Sequence, residues 1–211
     1  HVTPAWFSAR WVREAGIPCL GVLHSDDGFY RALQERFLRG TTAFRMPWVV
    51  AVSTLIEDQV LAGAAPGVRC ERIPYGVPIP GSPHRAKKTG EGLRVCYLGR
   101  LSEEQKRIGS VTSTLCRAAR EIPGLSGVLY GEGPDRGQVE EILSACGGDL
   151  PVRLGGCLPP SEVPSRLAEC DALLLLSDYE GLPIAVMEAM AAGVVPVCRR
   201  MRSGIPELVE D

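Results

Sequence analysis

The sequence lacks the features that would mark several broad classes. Its eight cysteines include no C-x-x-C pair, which argues against a zinc ribbon or a dithiol redox motif. There is no basic excess: the formal net charge is −2 over 211 residues, and nucleic acid is not expected as a partner. No apolar run is long enough for a spanning helix, because Asp178, Glu180 and Glu188 interrupt the longest ones. The chain opens at His1 without a charged-then-apolar leader, so no targeting segment is visible. What remains is 45% hydrophobic and 23% charged, an ordinary globular composition with room for one large domain or one and a half smaller ones. Cys96, Cys116 and Cys198 stand in apolar surroundings. They read as reduced core residues of a cytoplasmic protein.

The most informative stretch runs from Ser177 to Val197. Leu173–Leu176 before it is short and fully apolar, as expected for a strand of a parallel sheet buried on both faces. After Gly181 and Pro183 the period changes: Ile184, Met187 and Ala191 recur at helical spacing, and Gly193 closes the helix as a C-cap. Val194–Cys198 is then the next buried strand. Two acids mark this unit, Glu180 in the loop and Glu188 inside the helix. Glu188 either lies on the exposed edge or faces the crevice, since burying it alone is costly. Ligands of open α/β sheets bind beyond the carboxyl ends of the strands. There a helix start carries roughly half a positive charge, and Gly181 would let a phosphate approach the backbone.

Residues 1–77 supply part of a domain. Ile17–Leu23 is a short strand ending at His24, which is either a ligand contact or structural. Phe29–Arg39 is helical, Trp48–Val52 a second strand, and Ser53 caps a helix toward Ala62. Arg69–Pro74 is a third strand, and Trp6 and Trp11 are partly buried packing residues. Residues 78–92, with Lys87 and Lys88, form a solvated linker. From Leu93 the alternation is regular. Strands at Leu93–Leu98, Gly127–Tyr130, Val152–Leu154, Leu173–Leu176 and Val194–Cys198 alternate with helices, among them Glu103–Arg120 and one capped by Ser161. Five strands so spaced imply a doubly wound parallel sheet. Its rim carries Gly99, Gly131-x-Gly133 and Gly155-Gly156, with Arg100 and Lys106 beside it. Either cation alone would be an ordinary surface residue. Together they could hold a diphosphate.

Leu98-Gly-Arg-Leu with Lys106, Tyr130-Gly-Glu-Gly-Pro134, Ser177-x-x-Glu-Gly181, Glu188-Ala-Met-Ala-Ala-Gly193 and Gly204-Ile-Pro-Glu207 together resemble the group 1 retaining glycosyltransferases of GT-B fold. Glu180 and Glu188 match that family's E-x7-E signature. The resemblance is strong after residue 93 and looser before it. It implies two Rossmann-like domains, a partial acceptor-side one at 1–77 and a nucleotide-sugar-binding one at 93–211. It further implies a transferase that moves a sugar from a nucleotide-sugar to an acceptor hydroxyl on a glycan, lipid or small molecule. Retention at the anomeric carbon and the absence of any metal or cofactor belong to the same implication. By analogy Arg100 and Lys106 hold the diphosphate beside Gly99, Gly131 and Gly133, and Glu188 accepts from the ribose. Glu180 and Gly181, Leu182, Pro183 and Ile184 contact the donor sugar, Leu154 to Leu158 border the base, and His24 approaches the reacting sugar. The developing charge of a departing diphosphate would be met by fixed positive groups. Two positions depart from the family pattern, Tyr75 in place of an asparagine and Ser203 in place of a glycine.

Two other classes remain open, a different nucleotide-sugar enzyme of this fold (an epimerase or phosphorylase) and a non-catalytic nucleotide-binding module. Domains of this type run to about 100–150 residues, so the first is expected to be incomplete, with an exposed sheet edge prone to association. The second is expected to be cut at its end. Weak donor binding without useful transfer is the corresponding expectation, with any peripheral membrane contact belonging to the full-length protein.

Overall fold

The computed structural model describes residues 3–40, 42–79, 92–147 and 149–209. The chain divides into two compact units. The first comprises the residues up to Tyr75, with Tyr179–Pro183 and the segment from Arg202 onward. The second comprises Gly76–Asp178 and Ile184–Met201. Two short stretches late in the sequence therefore group with the first unit, and the loop bearing Glu180 and Gly181 is one of them. The linker expected at 78–92, with Lys87 and Lys88, falls mostly outside the described residues.

In the first unit three parallel strands, β1 (Gly21–Leu23), β2 (Trp48–Ala51) and β3 (Arg69–Arg72), stand in that order. Helix α1 (Thr3–Glu14) is an element that the sequence reading does not contain. It lays Trp6 over Gly21, where a Cβ would come within 2.2 Å of the indole, and beside Phe37 at a ring separation of 5.5 Å. Trp11, in contrast, is 59% exposed and is not a packing residue. Helix α2 (Gly28–Gln34) starts where the Asp27 carboxylate accepts from the Tyr30 N–H at 2.8 Å, and a π-helical turn carries it through Glu35–Arg39. Helix α3 (Thr54–Gly63) starts where the Ser53 hydroxyl accepts from the Ile56 N–H, as expected. The core gathers Leu23, Phe37, Leu38, Val49, Ala51, Ile56 and Val60. β1 is shorter than the sequence suggested because Ile17 and Leu20 are exposed and unpaired in the sheet. An open groove of about 1090 Å³ lies beside it, with Trp6, Val12, Leu20, His24 and Tyr75 in its walls.

The second unit is a five-stranded parallel sheet of β4 (Arg94–Leu98), β5 (Ser126–Tyr130), β6 (Val152–Gly156), β7 (Ala172–Leu175) and β8 (Val195–Cys198). Their spatial order is β6-β5-β4-β7-β8, so the order reverses between β4 and β7. Helices α4 (Glu103–Lys106), α5 (Ile108–Glu121), α6 (Arg136–Ala145), α7 (Val163–Ala168) and α8 (Ile184–Ala191) connect the strands. Leu173, Leu174 and Leu175 are almost wholly buried, as a doubly covered strand requires. Tyr97, Leu101, Ile108, Val111, Leu115, Leu129 and Val139 form the core on one face.

Three local expectations are corrected here. The helix expected at 103–120 is broken, because Arg107 adopts φ 52 and ψ 48, a left-handed conformation that costs a side-chain-bearing residue about 1–2 kcal/mol. The break lets the Glu103 carboxylate accept from the Gly109 N–H at 2.7 Å and cap a second helix, α5. Ser161 is not a cap, since α7 begins after Glu162 without a side-chain cap bond. β8 is not buried on both faces: Val195 and Val197 are exposed on an outer strand that pairs with β7. Gly193 does terminate α8, at φ 75. Its N–H bonds Met190 O at 3.0 Å and the Val194 N–H bonds Ala189 O at 2.8 Å, a Schellman pair.

Candidate functional site

In a doubly wound sheet the crevice opens beyond the carboxyl ends of the strands on either side of the reversal. Here those strands are β4, which leads into Gly99-Arg100, and β7, which leads through Leu176 to Ser177-Asp178. The loop after β4 is fixed tightly. Leu101 N donates to Glu132 O at 2.9 Å, Asp135 N to Leu101 O at 3.1 Å, and Glu103 N to an Asp135 carboxylate oxygen at 2.7 Å. A Cβ on Gly131 would come within 1.8 Å of Gly99 O, and one on Gly133 within 2.2 Å of Leu101 O. Close approach of the neighbouring loop therefore accounts for both glycines, and any contact with a ligand is additional.

Arg100 is exposed on this fixed loop and makes no ion pair among the described residues. Lys106 is half-buried at the end of α4, its N–H bonded to Ser102 O at 3.0 Å. The backbone N–H of Asp178 donates to Gln105 O at 2.9 Å, which joins the loop after β7 to α4. The Asp178 carboxylate takes Arg107 at 3.3 Å and also Arg199, two cations of this rim that the sequence reading missed. The left-handed kink at Arg107 has no sequence signal. Ser177 is fully buried, and its hydroxyl has no partner among the described residues, an arrangement that costs about 1–3 kcal/mol unless another group satisfies it.

Glu188 lies in the second turn of α8, on the same face as exposed Ile184 and away from buried Val186 and Ala189. It is half-buried and makes no side-chain hydrogen bond or ion pair among the described residues. Burial alone raises its pKa from the ordinary value. Of the residues expected near a base, Leu154 packs partly against the sheet core and Leu158 is half-buried in the loop after β6.

The first unit holds the other candidates. Gly181 sits against the strand end that bears His24. A Cβ there would be 2.0 Å from His24 O, and Gly181 O accepts from Gly204 N at 2.7 Å. The packing of protein backbone thus explains the need for glycine at 181. Leu182 and Pro183 are buried, Leu182 next to Gly204, and Glu180 is 7% exposed. His24 forms a hydrogen bond through Nδ1 with the Tyr75 hydroxyl. Its ring lies parallel to that of Tyr75, at 1° and a centroid separation of 5.8 Å, with Tyr30 edge-on at 6.2 Å. Burial lowers the His24 pKa and raises that of Tyr75. After His24 comes Asp26, 1% exposed, which accepts from Arg31 at 3.0 Å and Gln59 at 2.9 Å, with Arg202 at 3.7 Å. No group of three or more potential metal ligands occurs among the described residues, and no helix among them is long and apolar enough to cross a membrane.

The fold and these sites define an α/β protein of two parallel-sheet, Rossmann-like units. The family model of group 1 glycosyl transferases matches residues 83–211. The chain belongs to that family, and its fold is of the GT-B type. It is 29% identical over all of its length to an Escherichia coli (strain K12) protein assigned as the colanic acid biosynthesis glycosyltransferase WcaL, covering 54% of that protein. It is 38% identical to the amylovoran biosynthesis glycosyltransferase AmsK of Erwinia amylovora, over 56% of this chain and 30% of that one. The chain thus spans about half the length, or less, of the curated relatives it matches. Among solved structures, the pneumococcal O-GlcNAc transferase GtfA with UDP and GlcNAc superposes with a TM-score of 0.75. That match has 20% identity and covers 96% of this chain and 42% of the other. At that identity the likeness is one of fold.

Proposed function

We propose that the whole protein is a metal-independent, retaining glycosyltransferase that moves a sugar from a nucleotide-sugar donor to an acceptor hydroxyl, and that the second unit binds the nucleotide. One observation carries this reading. An exposed cation on a fixed loop and a half-buried carboxylate that makes no side-chain hydrogen bond or ion pair among the described residues flank the point where the sheet order reverses.

The groups there suit complementary parts of a nucleoside diphosphate. Arg100 and Lys106 meet the diphosphate, aided by the free N–H groups of the first turn of α8. Glu188 accepts from the ribose hydroxyls, which supply the hydrogen bonds that it lacks among the described residues. Gly99, Gly131 and Gly133 keep the loops close, and Leu154 and Leu158 border the base. Glu180, the backbone of Gly181–Ile184 and His24 act on the sugar. In this reading the fixed cations stabilise the charge of the departing diphosphate, so no metal or other cofactor is required. The names of two relatives refer to colanic acid and amylovoran biosynthesis, which favours a glycan acceptor, with assembly on the cytoplasmic side.

Calorimetric titration of the purified chain with nucleoside diphosphates tests the binding half. A selective, saturable ligand is expected, and absence of binding to any of them would overturn the assignment. For the full-length protein, transfer should survive EDTA and the product should keep the donor's anomeric configuration. Loss of activity in EDTA, or an inverted product, would remove that part of the reading.

A further inference from the structure

A second polar site lies within the first unit, on α2, the π-helical turn after it, α3 and the late segment that begins at Arg202. Arg31, Gln34, Glu35, Arg39, Gln59 and Arg202 line a pocket of about 230 Å³ there. None of the six enters the donor site proposed above.

Local geometry brings them together. Arg31, Gln34 and Glu35 are three and four residues apart and share a face of the helix. The π-helical turn over Glu35–Arg39 carries Arg39 round to α3, a kind of turn that often accompanies function. Its guanidinium lies against Gly63, where a Cβ would come within 2.2 Å of a terminal nitrogen. The Glu35 carboxylate and Gln59 O, at 3.3 Å, hold it in place. Asp26, 1% exposed, organises the rest: it accepts from Arg31 Nε at 3.0 Å and from Gln59 Nε2 at 2.9 Å, and Arg202 Nε stands 3.7 Å away.

These bonds leave donors over. Among the described residues, both terminal nitrogens of Arg202 and one of Arg31 make no bond. The Gln34 amide is 4% exposed, yet its contact is a single long one, Nε2 to Gln59 Oε1 at 3.4 Å. A buried amide so poorly satisfied is costly. Three guanidinium groups against the carboxylates of Asp26 and Glu35 also leave one positive charge uncompensated. We propose that this pocket binds a phosphate group carried by a sugar or a lipid. A carboxylate offers two oxygens, whereas a phosphate offers three strong acceptors and close to two charges. That suits arginines arriving from α2, the π-helical turn and the late segment, joined by an amide. Only the further step, that the phosphate belongs to the acceptor, rests on the proposed function.

Calorimetric titration with glucose 6-phosphate tests the proposal in the Arg100→Ala background, where the proposed diphosphate site is disabled. Saturable binding is expected there. Adding Arg202→Gln should weaken it roughly 10- to 150-fold, the worth of a hydrogen bond to a charged group. The Arg202 side chain is 67% exposed, so this variant should keep the Tm of its background. Gln34→Leu, which removes the buried amide, should lower the affinity as well. No saturable binding in Arg100→Ala overturns the proposal, as does undiminished affinity after Arg202→Gln. Glucuronate binding as tightly as glucose 6-phosphate also overturns it, because the site would then be one for carboxylates. Phosphatidylcholine vesicles with and without phosphatidate distinguish the two sources. Capture by the phosphatidate vesicles alone, lost in Arg202→Gln, indicates a lipid phosphate, and sugar-phosphate binding without capture indicates a soluble one. Nucleoside diphosphate binding is a separate titration of the parent: its failure strikes the functional reading and leaves this pocket standing, and the reverse holds equally.

Discussion

Replacing Gly181 with alanine separates two explanations of that glycine. On the ligand explanation, Gly181 leaves room for a phosphate, so the unliganded protein should tolerate a methyl group and only binding should fall. The structure points elsewhere. The methyl would stand 2.0 Å from His24 O, 2.7 Å from the His24 carbonyl carbon and 3.2 Å from Ser25 N. The carbonyl carbon would then be about 1 Å inside the roughly 3.5–4.0 Å optimum for carbon pairs. Retreat is blocked from the other side, where Gly181 O is bonded to Gly204 N at 2.7 Å. Overpacking of this kind costs about 1–3 kcal/mol. A rigid backbone partner puts it near the top of that range, less the roughly 0.4–1 kcal/mol that alanine gains by restricting the unfolded chain. The net loss is about 2 kcal/mol, or about 4–8 °C in Tm for a chain of this size. A thermal melt without ligand measures it. Gly137→Ala is the control: its Cβ meets nothing within 4 Å, and it lies inside α6. That change should leave Tm the same or slightly higher. If Gly181→Ala melts with the parent in the absence of ligand, the packing argument is wrong and the phosphate explanation returns.

Arg100→Ala and Lys106→Ala should each weaken nucleoside diphosphate binding by about 1.5–3 kcal/mol, the range for hydrogen bonds to charged groups; calorimetry showing parental affinity in both would remove them from the site. Glu188→Gln should weaken binding of ribose-containing ligands and reduce discrimination against their deoxyribose counterparts. Because burial raises the Glu188 pKa above its ordinary 4.5, the protonated side chain's advantage is present below that value and is lost as pH rises through the folded-state pKa. Melts of Glu188→Gln and the parent should therefore diverge in favour of the mutant as pH rises from about 4 to 7, and a gap independent of pH would contradict the burial. Asp26→Ala removes a 1% exposed acceptor shared by Arg31 and Gln59 and should cost about 1–3 kcal/mol in denaturant unfolding, whereas a neutral effect would show that the cluster is incidental.

The parallel sheet of the second unit was legible because its determinants are local. Leu173–Leu176 has no polar residue to place, so it must be buried on both faces, and Gly193 is needed where a left-handed residue ends α8. The expectations that failed depended on partners remote in sequence. Val194–Cys198 has the composition of a central strand, and only its place at the outside of the sheet exposes Val195 and Val197. The break at Arg107 is stabilised by interactions of Glu103 with Gly109 and of Arg107 with Asp178, and neither is written in helix propensity. Helix α1 is not legible because the stretch from Thr3 to Glu14 carries two arginines and two tryptophans on mixed faces, and Trp6 finds its place only against Gly21 and Phe37.

The candidate site divides along the same line. Charge can be read from a sequence: Arg100, Lys106 and Glu188 stand out because a cation pair beside a glycine and an acid in an apolar helix are both unusual, and the structure puts Arg100 on a fixed rim and leaves Glu188 without a partner among the described residues. The reason for a glycine cannot be read in this way, because an empty Cβ position looks the same whether a phosphate or a carbonyl occupies the space. At 131, 133 and 181 the neighbour is a carbonyl of the protein itself. Tyr75 is the converse case. In the sequence it was a departure from a pattern, with no role to assign, since its partner lies 51 residues away. In space its hydroxyl meets His24 Nδ1 and its ring lies parallel to the imidazole. Where a family motif is broken beside a candidate reactive group, the substituted side chain is therefore to be examined first for a hydrogen bond to that group, before it is counted as drift.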